Sequence, residues 1–103
     1  MNKSELYESL KAANVPEHLH GGIVRYVVSG IKPGSFLCAV IANDLLSVLC
    51  RASDDLSLED LRAVCRWFHN DAPDRCHGTY GLLADWMAAK GKECGIQNQE
   101  VSR

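Results

Sequence analysis

The chain has no surplus of positive charge: 11 lysines and arginines stand against 13 aspartates and glutamates, a formal net charge of −2. Proteins that hold nucleic acid by neutralising phosphates usually carry a basic excess, so that class is disfavoured, apart from a local basic face. An apolar run of the roughly 20 residues needed to cross a bilayer is missing too, so no membrane span is expected. The N-terminus, "MNKSELYESLKAANVPEH", has neither the basic flank nor the apolar core of a secretory signal, and a reducing cytoplasm is the expected location. No C-x-x-C pair, no G-x-x-x-x-G-K-[ST] loop, no internal repeat and no low-complexity stretch occurs. Those gaps argue against a zinc knuckle, a P-loop nucleotidase and a solenoid. What remains is ordinary globular composition, 47% hydrophobic and 23% charged over 103 residues. A chain of that length makes one domain and buries about 65% of its unfolded surface.

Five cysteines are present (Cys38, Cys50, Cys65, Cys76 and Cys94), an odd count with several on apolar helix faces. Buried thiols are expected, not a disulfide framework. Helical punctuation is frequent. Asn2 and Glu5 form a capping-box pattern ahead of Leu6, Tyr7 and Leu10, and Pro16 pushes Val15 out of the α region, closing a first helix near Asn14. A second helix runs from Pro16 with Leu19, Ile23, Tyr26 and Val27 on one face, ending at Gly30. Its weak point is "GGIVRYVVSG", where two glycines and four β-branched residues make a strand the competing reading. Helix is favoured because no partner strand is evident. Further on, Ser57 and Asp60 cap a helix with Leu58, Leu61, Val64, Cys65 and Phe68 on one side and Arg62, Arg66 and His69 on the other. A last helix spans about Thr79 to Lys90, burying Leu82, Leu83, Trp86 and Met87, with Gly91 closing it. Residues 92–103 lack periodicity and are expected to be a flexible tail. The fold class is therefore all-α, a compact bundle of four to five helices with residues 3–91 as a single domain.

The stretch "GIKPGSFLCAVIANDLLSVLCRAS" is expected to supply the centre of that bundle. After a Lys-Pro-Gly turn, Ser35 is placed to cap one helix running to about Ala52. At about 100° per residue, Asn43, Asp44, Ser47 and Arg51 fall on one narrow arc, with leucines, Ile41 and Val48 covering the rest. Three meanings are open for this polar stripe: a solvated edge, a buried hydrogen-bond set, or part of a pocket or subunit contact. Burying Asp44 unpaired would cost several kcal/mol, so Arg51 or Arg25 must assist if it lies inside. A solvent-facing Trp67 beside the stripe would mark an interaction surface.

Several constellations bear on chemistry. Lys32, Gly34 and Ser35 precede a helix whose first N–H groups carry partial positive charge, an arrangement suited to a phosphate, although a turn with a solvated lysine has the same pattern. Together with Asn43, Asp44 and Arg51 they form the candidate ligand-binding set. Cys65, His69, Cys76 and His77 contain two sulfurs and two imidazoles within thirteen positions, but Cys65 fits a core stripe and no metal site is assigned. His18 and His20, two apart, point to different helix sides. Cys76 and His77 are adjacent, which does not make a nucleophile and a base converge, and Asp44 has no second acid or base on its stripe. No catalytic residue and no cofactor is assigned, and a non-enzymatic role is expected. Arg62, Arg66 and His69 leave a nucleic-acid-associated regulator as an alternative, with a small enzyme built on Cys76 and His77 as another.

A wider pattern comprises Tyr26, Val27, Gly30, Pro33, Gly34, Phe36, Leu37, Asn43, Asp44, Leu45, Ala72, Pro73 and Trp86, and covers about two thirds of the chain. It resembles small proteins carried by bacteriophages and prophages. That resemblance carries over no site residues. It implies an accessory protein in the cytoplasm of an infected bacterium, interfering with host defence by sequestering a small molecule or masking a host protein. The expected function is thus a binding module, expected to be oligomeric, taking a nucleotide-like signalling molecule or a host defence protein.

Overall fold

A computed structural model describes residues 2–52, 56–73 and 75–89. Among these residues six helices follow one another: α1 (Lys3–Ala12), α2 (Glu17–Ser29), α3 (Ser35–Ile41), α4 (Leu45–Arg51), α5 (Leu58–Asn70) and α6 (Tyr80–Ala88). No strand occurs among the described residues. The fold is all-α, and residues 22–29 are helical despite their β-branched content. Packing decides there: Ile23, Val24, Tyr26 and Val27 are all buried, and tertiary burial of an apolar face outweighs weak intrinsic propensity.

The caps expected at Asn2, Ser57 and Gly30 are present, whereas the one expected at Ser35 is not. Asn2 accepts from the Glu5 N–H at 2.9 Å while Glu5 accepts from the Asn2 N–H at 3.1 Å. Ser57 and Asp60 repeat that reciprocal pair at the head of α5. Thr79 caps α6 by accepting from the Leu82 N–H. Gly30 ends α2 at φ 68, in the left-handed region that glycine enters freely.

The segment 35–52 departs from expectation. It is two helices, not one. Ala42 ends α3, Asn43 takes φ 61, the Asn43 N–H donates to Val40 O (3.1 Å) and the Asp44 N–H to Ala39 O (2.9 Å). That pair of bonds is the Schellman arrangement, with asparagine in the place glycine usually fills. Asp44 then starts α4 by accepting from the Ser47 N–H at 3.3 Å. The same C-terminal bonding recurs at the end of α1, where Asn14 has φ 63 and the Asn14 and Val15 N–H groups donate to Lys11 O and Leu10 O.

This break moves the centre of the molecule. The core draws on α1 (Leu6, Leu10), α2 (Ile23, Val24, Tyr26, Val27), α3 (Leu37, Ile41) and α5 (Val64, Trp67, Phe68), with Cys76 and Leu83 closing it. In α4 only Val48 is buried. Leu45, Leu46 and Leu49, expected inside, are 68%, 75% and 57% exposed because α4 turns back along α3 and presents one side to it. Within residues 35–52 the burial is therefore confined to α3 and its C-cap, apart from Val48, and α2 shares the centre of the core with it. Trp67 is fully buried; its indole N–H donates to Ser9 Oγ at 2.8 Å and its ring meets Phe68 edge-on. Leu58 and Cys65, expected on the inner stripe of α5, are exposed, and Trp67 takes that inner position. Cys38 and Cys76 are buried and Cys50 and Cys65 lie at the surface; Cys94, Gly91 and the proposed tail at 92–103 lie outside the described residues.

Asn43→Ala is expected to lower unfolding free energy by about 1–2 kcal/mol, the cost of a left-handed backbone for a residue without a locally bonding side chain. Asn43→Gly should leave it unchanged or raise it. Urea denaturation midpoints measure both, and equal stability of the alanine and glycine variants would contradict the joint.

Candidate functional site

Three pieces of chain meet beside α3. The first is the extended linker Lys32–Gly34, which follows the left-handed Gly30 and is pinned when the Cys38 thiol donates to Pro33 O at 3.4 Å. The second is the C-terminal end of α4, carrying Arg51. The third is α6, held against α2 by Trp86, whose indole N–H is shared between Tyr26 O (2.9 Å) and Val27 O (3.2 Å). Between them lies a cleft of about 540 Å³ lined by Lys32, Pro33, Gly34, Ser35, Cys38, Arg51, Tyr80, Leu83 and Met87.

Four of the six candidate residues therefore share one cavity: Lys32, Gly34, Ser35 and Arg51. The other two do not join them there. Asn43 lines a different hollow against α5, and Asp44 serves as the cap of α4 while its other oxygen accepts from the Tyr80 hydroxyl at 2.7 Å. The single polar seam expected on residues 43–51 is thus dispersed, because the left-handed turn at Asn43 ends the helical phase that would have aligned it. The long helix expected after Ser35 has only seven residues, and Gly34 rather than Ser35 takes the capping position without a side-chain bond. Charge in the cleft comes mainly from Lys32 and Arg51. Among the described residues its lining holds two cations and no carboxylate.

The electrostatics around the rim are coupled. The Tyr80 hydroxyl, then Ser47, and more weakly the Arg51 charge, hold the Asp44 carboxyl below its ordinary range. Reciprocally, the hydrogen bond to Asp44 raises the Tyr80 phenol. The Cys38 thiol is raised by burial, with Lys32 pulling the other way, so it stays protonated at neutral pH. Deeper in, burial lifts the Tyr26 phenol far above its usual value, and its hydroxyl donates to Cys76 O.

Tyr80, Leu83 and Met87 were not among the candidate residues. Their spacing on α6 offers the only sequence signal, since 80, 83 and 87 share a helical face. Elsewhere His20 has a structural role. His20 is buried, with Nε2 2.7 Å from Val15 O, so that nitrogen carries the proton and donates to the carbonyl. Cys76 is in the core, while Cys65, His69 and His77 border one hollow; no group of three metal-ligating side chains is arranged to hold an ion among the described residues. Arg62 lies 3.9 Å from Glu59, both well exposed, as expected of a solvated helix face. No helix is long and apolar enough to cross a membrane among the described residues. Comparison with protein-family models, with curated proteins and with solved structures gives no match.

A carboxyl whose pKa is depressed on folding contributes stability above its unfolded-state pKa and loses it as pH falls through the folded-state value. Tyr80→Phe should accordingly raise the Asp44 pKa, read from carboxyl carbon shifts in an NMR titration. The stability gap between wild type and Tyr80→Phe should be open at neutral pH and close once acid protonates Asp44. A gap that persisted unchanged into acid would disprove the link.

Proposed function

We propose that the chain is a non-enzymatic binding module that sequesters a small phosphorylated, nucleotide-like molecule in the cleft between the 32–35 linker, α4 and α6. The observation that carries this reading is the convergence of Lys32 and Arg51, nineteen positions apart, on one cavity with an aromatic ring and an apolar floor. Two cations lining one cleft suit the spread charge of a phosphate, with the Arg51 guanidinium able to grip two of its oxygens. Tyr80, Leu83 and Met87 supply the surface against which a base or other planar group would lie. Gly34 fits a ligand-facing role: its φ of −65 suits any residue, and an added Cβ would meet nothing within 4 Å. Nothing in the fold itself demands glycine there. In the setting implied by the likeness to phage-borne proteins, such a module would act in the host cytoplasm, withdrawing a defence signal from circulation.

Thermal denaturation against a panel of phosphorylated nucleotides tests the proposal. A true ligand at 100 times its Kd adds about 2.7 kcal/mol of stability. Lys32→Ala and Arg51→Ala should each abolish that protection, and Gly34→Ala should fold normally yet bind less tightly. Absence of protection by every phosphorylated nucleotide would remove the reading.

A second reading, in which the chain masks a host protein or pairs with itself, has its own support in the uncharged face of Leu45, Leu46 and Leu49. Large exposed apolar groups gathered on one helix are uncommon on a solitary surface. Leu46→Asp should then dissociate a complex without lowering stability. Light scattering distinguishes the two partners: a fall in native mass identifies a second copy, whereas an unchanged monomer mass with loss of a co-purifying protein identifies a host target. A wild-type monomer that co-purifies with nothing would rule out both.

A further inference from the structure

We propose that the hollow between the end of α3, the Cys65–His69 flank of α5 and the loop at 77–78 is a second binding site, taking an uncharged planar heteroaromatic ring of nucleobase type. This proposal is independent of the phosphate cleft. The hollow measures about 300 Å³ and is lined by Val40, Ile41, Asn43, Cys65, Phe68, His69, His77 and Gly78. That volume lies at the lower end of small-molecule sites, suited to one ring system and too small for a whole nucleotide with its phosphates.

The lining selects against charge. Among the described residues it contains no lysine, arginine, aspartate or glutamate, in contrast to the cleft at Lys32 and Arg51. Val40, Ile41 and the buried Phe68 form an apolar wall, and the polar groups set around it are an amide, two imidazoles and a thiol. An asparagine amide presents one donor and one acceptor side by side, the pairing that matches the edge of adenine. Imidazole rings provide flat faces for stacking, and His77 is itself held edge-on to Phe68 with centroids 6.1 Å apart. Cys65 is exposed as a residue, yet neighbouring atoms crowd its thiol and raise its pKa, so it borders the hollow as a neutral group. Metal binding is the rival chemistry for these residue types, but their arrangement brings no three of them together around an ion.

The walls are preformed. The Gly78 N–H donates to Ile41 O at 2.6 Å, stitching the loop to the end of α3. Gly78 has φ 130, a backbone other residues rarely adopt, and an added Cβ would stand 3.1 Å from Leu82. Asn43 is fixed by the two Schellman bonds that end α3. Its left-handed backbone is a local cost of the kind that often accompanies binding sites. A preformed hollow spares an incoming ligand the cost of ordering its receptor.

Titration with adenine, followed by amide NMR shifts, provides the test. Shifts should concentrate at Val40, Asn43, His69, His77 and Gly78 and saturate. Asn43→Gly keeps the left-handed backbone while deleting the amide, and should weaken adenine on the order of tenfold. Cys65→Trp should fill the hollow and abolish binding, with His69→Ala as a second probe if the tryptophan variant misfolds. Inorganic phosphate should leave these residues unmoved. The proposal is overturned if adenine at millimolar concentration shifts nothing, or shifts only residues around Lys32 and Arg51. It is equally overturned if Zn²⁺ perturbs Cys65, His69 and His77 where adenine does not.

Discussion

Two backbone hydrogen bonds at the end of α3, from the N–H groups of Asn43 and Asp44 to Val40 O and Ala39 O, determine the arrangement of everything after them. They satisfy carbonyls that a helix terminus would otherwise leave open, and they do so only with residue 43 in the left-handed region. Once the chain is turned there, α4 lies along α3 instead of extending it. Asp44 is freed to cap α4 and to receive Tyr80, Asn43 is directed toward α5, and Arg51 comes round to the linker at Lys32. The cationic cleft and the neutral hollow are both products of that one turn.

The second organising contact is the engagement of α6 with α2 through Trp86. A tryptophan donor shared by two carbonyls near the helix end satisfies acceptors that α2 can pair only in part by itself, and it fixes how far α6 stands from the linker. The width of the cleft depends on that distance. Tyr26 works at the same level from inside the core, its desolvated phenol spanning to the carbonyl of Cys76 and so setting the height of the loop that carries His77 and Gly78. The Tyr26 bond lies inside the core and the Trp86 bond at its edge, and together they position the surface features.

Local signals in the sequence translated well into structure. Asn2 with Glu5, Ser57 with Asp60, Val15 before Pro16 and the glycine at 30 each act through neighbours a few residues away, and each marks a helix boundary where it was expected. Asn43 and Asp44 were legible too, as an asparagine fit for a left-handed position followed by a cap residue three before Ser47. Hydrophobic periodicity through Leu37, Ile41, Leu45 and Leu49 spoke louder, and it favoured one continuous helix. Periodicity reports which residues would share a face if the helix persists; it carries no information on whether it persists. That is also why Asn43 and Asp44 were misplaced, whereas Arg51 joins Lys32, Gly34 and Ser35 only because the chain turns back at Asn43. Trp67 was unreadable for a different reason: its burial depends on Ser9, 58 positions away, which gives the indole N–H a partner inside.

The two indoles sit in different surroundings, and this has a practical consequence. Trp67 is sealed in the core against Phe68, whereas Trp86 is only partly covered, next in sequence to Met87 of the cleft wall. Their emission colours should differ, the sealed ring bluer and the half-covered one redder and more open to quenchers. The molecule thus carries a native pair of optical gauges, one for loss of the interior and one for events at its rim, without any label having to be attached.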